Sequence, residues 1–179
     1  PYTETDSASP LNAYGRSKLL GEQSIQAVGG DFIILRVSWV YGNHGQNFYR
    51  TMLRFGQERE ELKIVSDQIG APTWSRHIAD ASAHILRDRC LNDKAGIYHL
   101  SPQGETSWYG FADKIFEMHR ALGLTSFKVK SLQKISTQEY VTPAKRPLNS
   151  RMKSSKVFNA FGVMLPEWSK SLSMIVDSN

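Results

Sequence analysis

Leu11, Tyr14, Lys18, Gly21, Ile25 and Val28 fall at alternating three- and four-residue steps, so the stretch up to Val28 reads as a helix presenting them on one face. Asn12 or Ser9 caps it and the run GGD stops it. If that face is buried, Lys18 is a charge among apolar neighbours. The run FIILRVSWVYG, residues 32–42, has too few polar positions for a half-exposed strand and reads as a buried, parallel one. Phe48, Met52 and Phe55 share a face of a helix in QNFYRTMLRFGQERE, and LKIVSD follows as a short strand. After the loop QIGAPTW, SRHIADASAHILRDR is amphipathic through Ile78, Ala81, Ile85 and Leu86, and GIYHLSP is a further short buried strand. TSWYGFADKIFEMHRALG has the clearest helical period: Thr106 or Ser107 caps it, Trp108, Phe111, Ile115 and Leu122 form its stripe, and Gly123 ends it. A strand at FKVKSL, a proline-punctuated loop at TPAKRPLNSR and a short helix near SSKVFNAFG come next. The last helix is opened by Pro166, with Trp168, Leu172 and Ile175 inward.

Strands alternating with helices argue for α/β layers. The 179 residues suffice for one good core and are too few for two ordinary domains. Hydrophobic residues at 40% and charged residues at 22% exclude wholesale disorder. No apolar run approaches the roughly eighteen residues of a membrane span, and the first residues lack the blocks of a signal peptide. The single cysteine, Cys90, has no partner for a disulfide or a metal site and reads as a structural or incidental thiol. These features lead to the expectation of a soluble, cytoplasmic protein. The net charge of +5 does not point to nucleic acid, because the basic residues are scattered. The two local clusters, KVKSLQK and RMKSSK, do not interleave aromatics as a stacking surface would.

Tyr14 and Lys18 stand one helical turn apart. A phenol, with an ordinary pKa of about 10, is a poor acid–base group at neutral pH, and an ammonium beside it favours the phenolate. Such a pair suits proton donation to a carbonyl oxygen as a hydride reaches its carbon. A surface Tyr–Lys pair at this spacing is also common in ordinary helices. Taken with the rest of the chain it is more specific. PYTETDSASPLNAYGRSKLLGE, LRVSWVYG, NFYRTMLR, DQIGAPT, TSWYGFA and TPAKRPLNSRM, in this order, resemble the extended short-chain dehydrogenase/reductases, and within them the dTDP-4-dehydrorhamnose reductases.

The resemblance implies a Rossmann-like, doubly wound parallel sheet with an interleaved small α/β substrate domain. Residues 1–41 and 74–102 would belong to the nucleotide-binding domain, and 42–73 and 103–179 to the substrate domain. It implies Tyr14 as general acid, with Lys18 supporting it and hydrogen-bonding the nicotinamide ribose, and Arg36, Val37 and Ser38 beside the cofactor, NADPH or NADH. Trp39, Asn47, Gln68, Arg146 and Asn149 would form the dTDP-sugar site. Arg146, with its planar fork of donors, is the diphosphate contact of choice. His77 and His84 lie two turns apart without a third ligand at metal-like spacing, and Arg76 stands where some relatives place an acidic metal ligand, so no metal is expected.

The thirteen glycines offer no G-x-G-x-x-G turn; the nearest run, GNHGQNF, follows the wrong strand. The family's catalytic serine or threonine would also lie before Pro1. The expectation is therefore the C-terminal part of a longer reductase, with little turnover by itself. Exposed strand edges and an apolar face would favour a homodimer. Two rivals share the fold: a non-catalytic homologue of the methionine adenosyltransferase regulatory subunit type, and a nucleotide-sugar epimerase or dehydratase.

Overall fold

A computed structural model describes residues 1–88 and 91–177; Cys90 lies outside them. The element order is α1 (Ala13–Val28), β1 (Ile33–Arg36), β2 (Val40–Tyr41), α2 (Phe48–Glu58), β3 (Glu61–Val65), β4 (Ile69–Gly70), β5 (Thr73–Trp74), α3 (Ser75–Leu86), a 3-10 turn (Leu91–Lys94), β6 (Gly96–His99), β7 (Thr106–Ser107), α4 (Trp108–Ala121), β8 (Ser131–Ile135), α5 (Ser155–Phe161) and α6 (Trp168–Asp177). Three strand pairs are parallel, β1 with β6, β2 with β5 and β3 with β8, and β4 with β7 is antiparallel. This is the mixed α/β architecture the periodicity predicts.

The anticipated strand over 32–42 is broken. β1 pairs with β6, in register Arg36 to His99, and the chain then turns through Trp39, at φ 50, so that β2 pairs with β5. A non-glycine residue in this region is uncommon and is held by its surroundings. The strand foreseen at FKVKSL begins later, at Ser131.

Two apolar clusters form the interior. The larger joins Tyr41, Met52, Ile64 and Trp74 to Phe111, Ile115 and Phe116 of α4 and Leu172 and Ile175 of α6. Gly56 permits the α2–α4 approach, since a Cβ there would lie 2.5 Å from Phe116 and 2.7 Å from Phe127. The smaller cluster joins Ala81 and Ile85 of α3 to Tyr98, Leu100, Val157, Phe161 and Leu165, with Ile33, Leu35 and Val37 packed against it. Residues 157–165 thus pack with β1 and β6, which the sequence division assigns to the other domain.

Two anticipated faces are not covered. α1 buries none of its residues: Leu20, Ile25 and Val28 are exposed, Val28 to 88%, and so is Lys18. The expectation of an inward-facing Lys18 is therefore corrected for this chain. Leu86, expected inward on α3, is exposed at its C-terminal end.

Candidate functional site

The C-terminal ends of β1 and β6 open onto a cavity of about 660 Å3. In parallel sheets this is the edge at which ligands bind, because loops leaving neighbouring strands diverge there. Its walls come from three sources: the residue 2–15 segment with the start of α1, the chain from Arg36 to Trp39, and the loop carrying Arg146 and Asn149. Gln68 and Trp108 contribute from a fourth side.

Asn12 sets the first wall. Its Oδ1 accepts from the Gly15 N–H at 2.8 Å, capping α1, and Tyr14 follows at the cavity edge, 72% exposed. Lys18, one turn on, places its ammonium 5.4 Å from the centroid of the Tyr14 ring. The helix is tied to the sheet by Glu22, whose carboxylate takes the Arg36 guanidinium bidentately, Nε at 2.9 Å and Nη2 at 2.5 Å. That pairing raises the Arg36 pKa above its already high ordinary value.

Val37 packs against the smaller core cluster and lines the cavity. Ser38 lines it too, and its Oγ is buried without a hydrogen-bond partner among the described residues. Trp39 stacks on Trp108, centroids 3.7 Å apart and 12° between planes. Gly70 lies beneath Trp39, where a Cβ would come within 2.7 Å of the indole. Gln68 is buried, 5% exposed; it accepts from Trp108 Nε1 at 3.1 Å and donates to Thr137 Oγ1 at 3.1 Å. Asn149 Oδ1 accepts from Arg151 Nε at 2.9 Å, and the Asn149 backbone bridges to Ile69. Arg146 is exposed at the cavity rim and makes no hydrogen bond or ion pair with the described residues.

Thus Tyr14, Arg36, Val37, Ser38, Trp39, Gln68, Arg146 and Asn149 line one cavity. Lys18 stands behind Tyr14, and Asn47 stands apart from the cavity wall. Its Oδ1 caps α2 through Arg50 N–H at 3.1 Å, and its Nδ2 donates to Gly42 O at 2.9 Å. The histidines of α3 are engaged structurally, His77 Nδ1 with Ser171 Oγ at 3.2 Å and His84 Nε2 with Phe161 O at 3.1 Å. Among the described residues no group of three or more His, Cys, Asp or Glu side chains is arranged to hold a metal ion. Arg76 lies over the Trp74 ring at 5.8 Å.

Among the wall residues that the sequence reading did not assign to the site, two stand out, Trp108 and His99. Trp108 reads as one more stripe residue of α4, and nothing local marks it as the partner of Trp39. His99 ends β6 and is 2% exposed, its Nδ1 without a hydrogen-bond partner among the described residues, and burial pushes its pKa down against the opposing pull of Glu4.

The family model described as "RmlD substrate binding domain" matches residues 1–179. The dTDP-4-dehydrorhamnose reductase of Burkholderia thailandensis is 46% identical over 182 residues, which is 98% of this chain and 61% of that protein. The enzyme of the same name from Escherichia coli K12 is 45% identical over 170 residues, 94% of this chain and 56% of its own length. A crystal structure of the dTDP-4-dehydrorhamnose reductase of Bacillus anthracis in complex with NADP is 34% identical with a TM-score of 0.87, over 99% of this chain and 59% of the other. The chain therefore spans less than two thirds of the length of these relatives.

Proposed function

Because the chain belongs to the RmlD substrate binding domain family, we propose that it carries the nucleotide-sugar site and the proton donor of a dTDP-4-dehydrorhamnose reductase. The reaction is reduction of the C4 ketone of dTDP-4-dehydro-L-rhamnose to dTDP-L-rhamnose. The observation that carries this reading is the meeting of Tyr14, Ser38, Trp39, Gln68 and Arg146 at one cavity. A phenol, an aromatic wall, a buried amide and an unpaired guanidinium are what a keto sugar on a diphosphate requires.

In this reading the Tyr14 hydroxyl donates a proton to the C4 oxygen, and Lys18 supports the phenolate left behind. The Trp39–Trp108 pair and Gln68 hold the sugar. Arg146 takes the diphosphate through its planar donors, with Asn149 adjoining. The cofactor, NADPH or NADH, supplies the hydride when bound. The unpartnered Ser38 Oγ, with Arg36 and Val37 beside it, fits the near side of that group. The Bacillus anthracis relative is in complex with NADP, which supports a nicotinamide cofactor for this reading. Asn47 serves as a helix cap in this account. On this reading the reaction draws on nucleotide-sugar and nicotinamide pools and is assigned to the cytoplasm. No helix among the described residues is long and apolar enough to cross a membrane.

The test joins residues 1–179 to the portion of the Burkholderia thailandensis relative that they do not match, and follows cofactor oxidation with dTDP-4-dehydrorhamnose. Tyr14→Phe lowers turnover at least about a hundredfold, the lower end for loss of a positioned acid, with dTDP binding unchanged. Retention of most of the turnover by Tyr14→Phe overturns the assignment.

A further inference from the structure

Asn12 makes two hydrogen bonds with the two ends of one amide. Its Oδ1 closes the first turn of α1 at Gly15, 2.8 Å, and its Nδ2 donates to the Lys145 carbonyl at 2.9 Å, across 133 residues of sequence. Lys145 immediately precedes Arg146. The segment around them is otherwise held at its ends. Thr137 donates to Asp67 on one side, and Ile69 N–H donates to Leu148 O at 2.8 Å on the other. Between them, residues 143–148 are all exposed, and the Thr142 Oγ1 bond to Ala144 O is internal to the loop. Among the described residues, the Asn12 amide is the one hydrogen bond reaching residues 140–147 from another part of the chain.

We propose that Asn12 is a positioning residue: it ties the loop bearing Arg146 to the start of the helix bearing Tyr14, so that the anion-binding and proton-donating sides of the cavity are held in one geometry. Capping needs only an acceptor, and aspartate or serine serves a helix N-terminus as well as asparagine. Holding Lys145 O as well requires a donor on the same side chain, which the amide has and a carboxylate lacks. An exposed loop without that bond samples more conformations, and a ligand at Arg146 must then select the competent one. The anion is taken to be dTDP on the functional reading above; the tie itself stands on geometry alone.

The experiment compares the 179-residue chain with Asn12→Asp and Asn12→Ala in thermal melts, dTDP titrations and native-state trypsin digestion, the last scored by mass as cleavage after Lys145. Asn12→Asp keeps the cap, so its melting temperature stays at the wild-type value, yet its carboxylate faces the Lys145 carbonyl without a donor. Cleavage after Lys145 rises and dTDP affinity falls, each about five- to tenfold, the scale of one hydrogen bond. Asn12→Ala shows both changes and melts lower. Wild-type cleavage in Asn12→Asp overturns the tie, and faster cleavage with wild-type dTDP affinity overturns its link to the ligand. If the wild-type chain binds no dTDP, the nucleotide reading fails, and the cleavage comparison alone supports or overturns the tie.

Discussion

Trp39 and Trp108 stack face to face across the cavity wall, centroids 3.7 Å apart, although they arise 69 residues apart from a strand break and a helix start. Trp39 holds this position at φ 50, a backbone region costing a bulky residue about 1–3 kcal/mol. The stack, the Gln68 acceptor for Trp108 and the Thr73 N–H bond to Trp39 O at 3.1 Å hold it there. Two indoles this close couple electronically, so the chain should show an exciton couplet in circular dichroism. Trp39→Ala and Trp108→Ala each abolish the couplet. Each also weakens dTDP binding about three- to tenfold, the scale of one aromatic contact. A couplet surviving either substitution contradicts the pairing.

Gly70 supports this stack from below. Its backbone lies outside the positive-φ region, so a side chain there meets no conformational barrier, only the Trp39 ring. A Cβ would stand 2.7 Å and 2.9 Å from two ring carbons, and an indole cannot bend away as a lysine tip can. Gly70→Ala should cost about 1–3 kcal/mol, the usual range for overpacking, and diminish the couplet without abolishing it. Denaturant unfolding at wild-type slope, read beside circular dichroism, checks both parts.

How far the sequence reaches is clear from particular residues. Of the two caps foreseen, Thr106 and Ser107, Ser107 caps α4 through Gly110 N–H at 3.0 Å; Phe111 and Ile115 lie in the core as their spacing demands, whereas Leu122 of the same stripe is exposed at the helix end. These are local relationships: a cap and a stripe need only their own helix. Periodicity says which residues share a face but not what covers it, which is why the α1 face and Leu86 are misread. The break at Trp39 depends on β1 and β2 taking different partners, a long-range choice with no glycine or proline to mark it. The candidate site is legible through resemblance where short segments carry it, at Tyr14, Gln68 and Arg146. Trp108 and His99 look like core residues until the fold places them at the cavity.

The Glu22–Arg36 pair is the main polar link between α1 and the sheet, with both side chains largely shielded from solvent. Since α1 buries no residue of its own, this link should matter locally more than globally. Glu22→Gln removes the charge-assisted bidentate pairing, worth about 1.5–3 kcal/mol for hydrogen bonds to charged groups. Amide hydrogen exchange should therefore accelerate through α1 while α4 and α6 exchange as before. Uniform acceleration throughout the chain would show instead that α1 and the core open together.

Three buried or half-buried histidines should begin the loss of stability on the acid side. His99, His119 and His77 all have pKa values held below the ordinary 6.5, burial being the first cause in each. A base with a depressed folded-state pKa binds more protons when unfolded, so stability is complete above the unfolded value and falls as pH drops from about 6.5 toward the folded value. Asp6, Asp67 and Glu139 are also depressed, by hydrogen bonds from Thr3, Thr137 and Ser136 respectively. Their contribution is present above the unfolded carboxylate pKa, about 4, and is lost only below it. The melting temperature should thus decline in two stages, the first as pH falls below about 6.5 from the histidines, the second in the carboxylate range. Replacing His119, whose Nε2 lies 3.0 Å from Tyr49 OH in the larger core cluster, by glutamine should flatten the first stage and leave the second in place. A melting temperature that stays level from pH 7 to pH 5 would mean that these imidazoles are no harder to protonate in the folded chain than in the unfolded one.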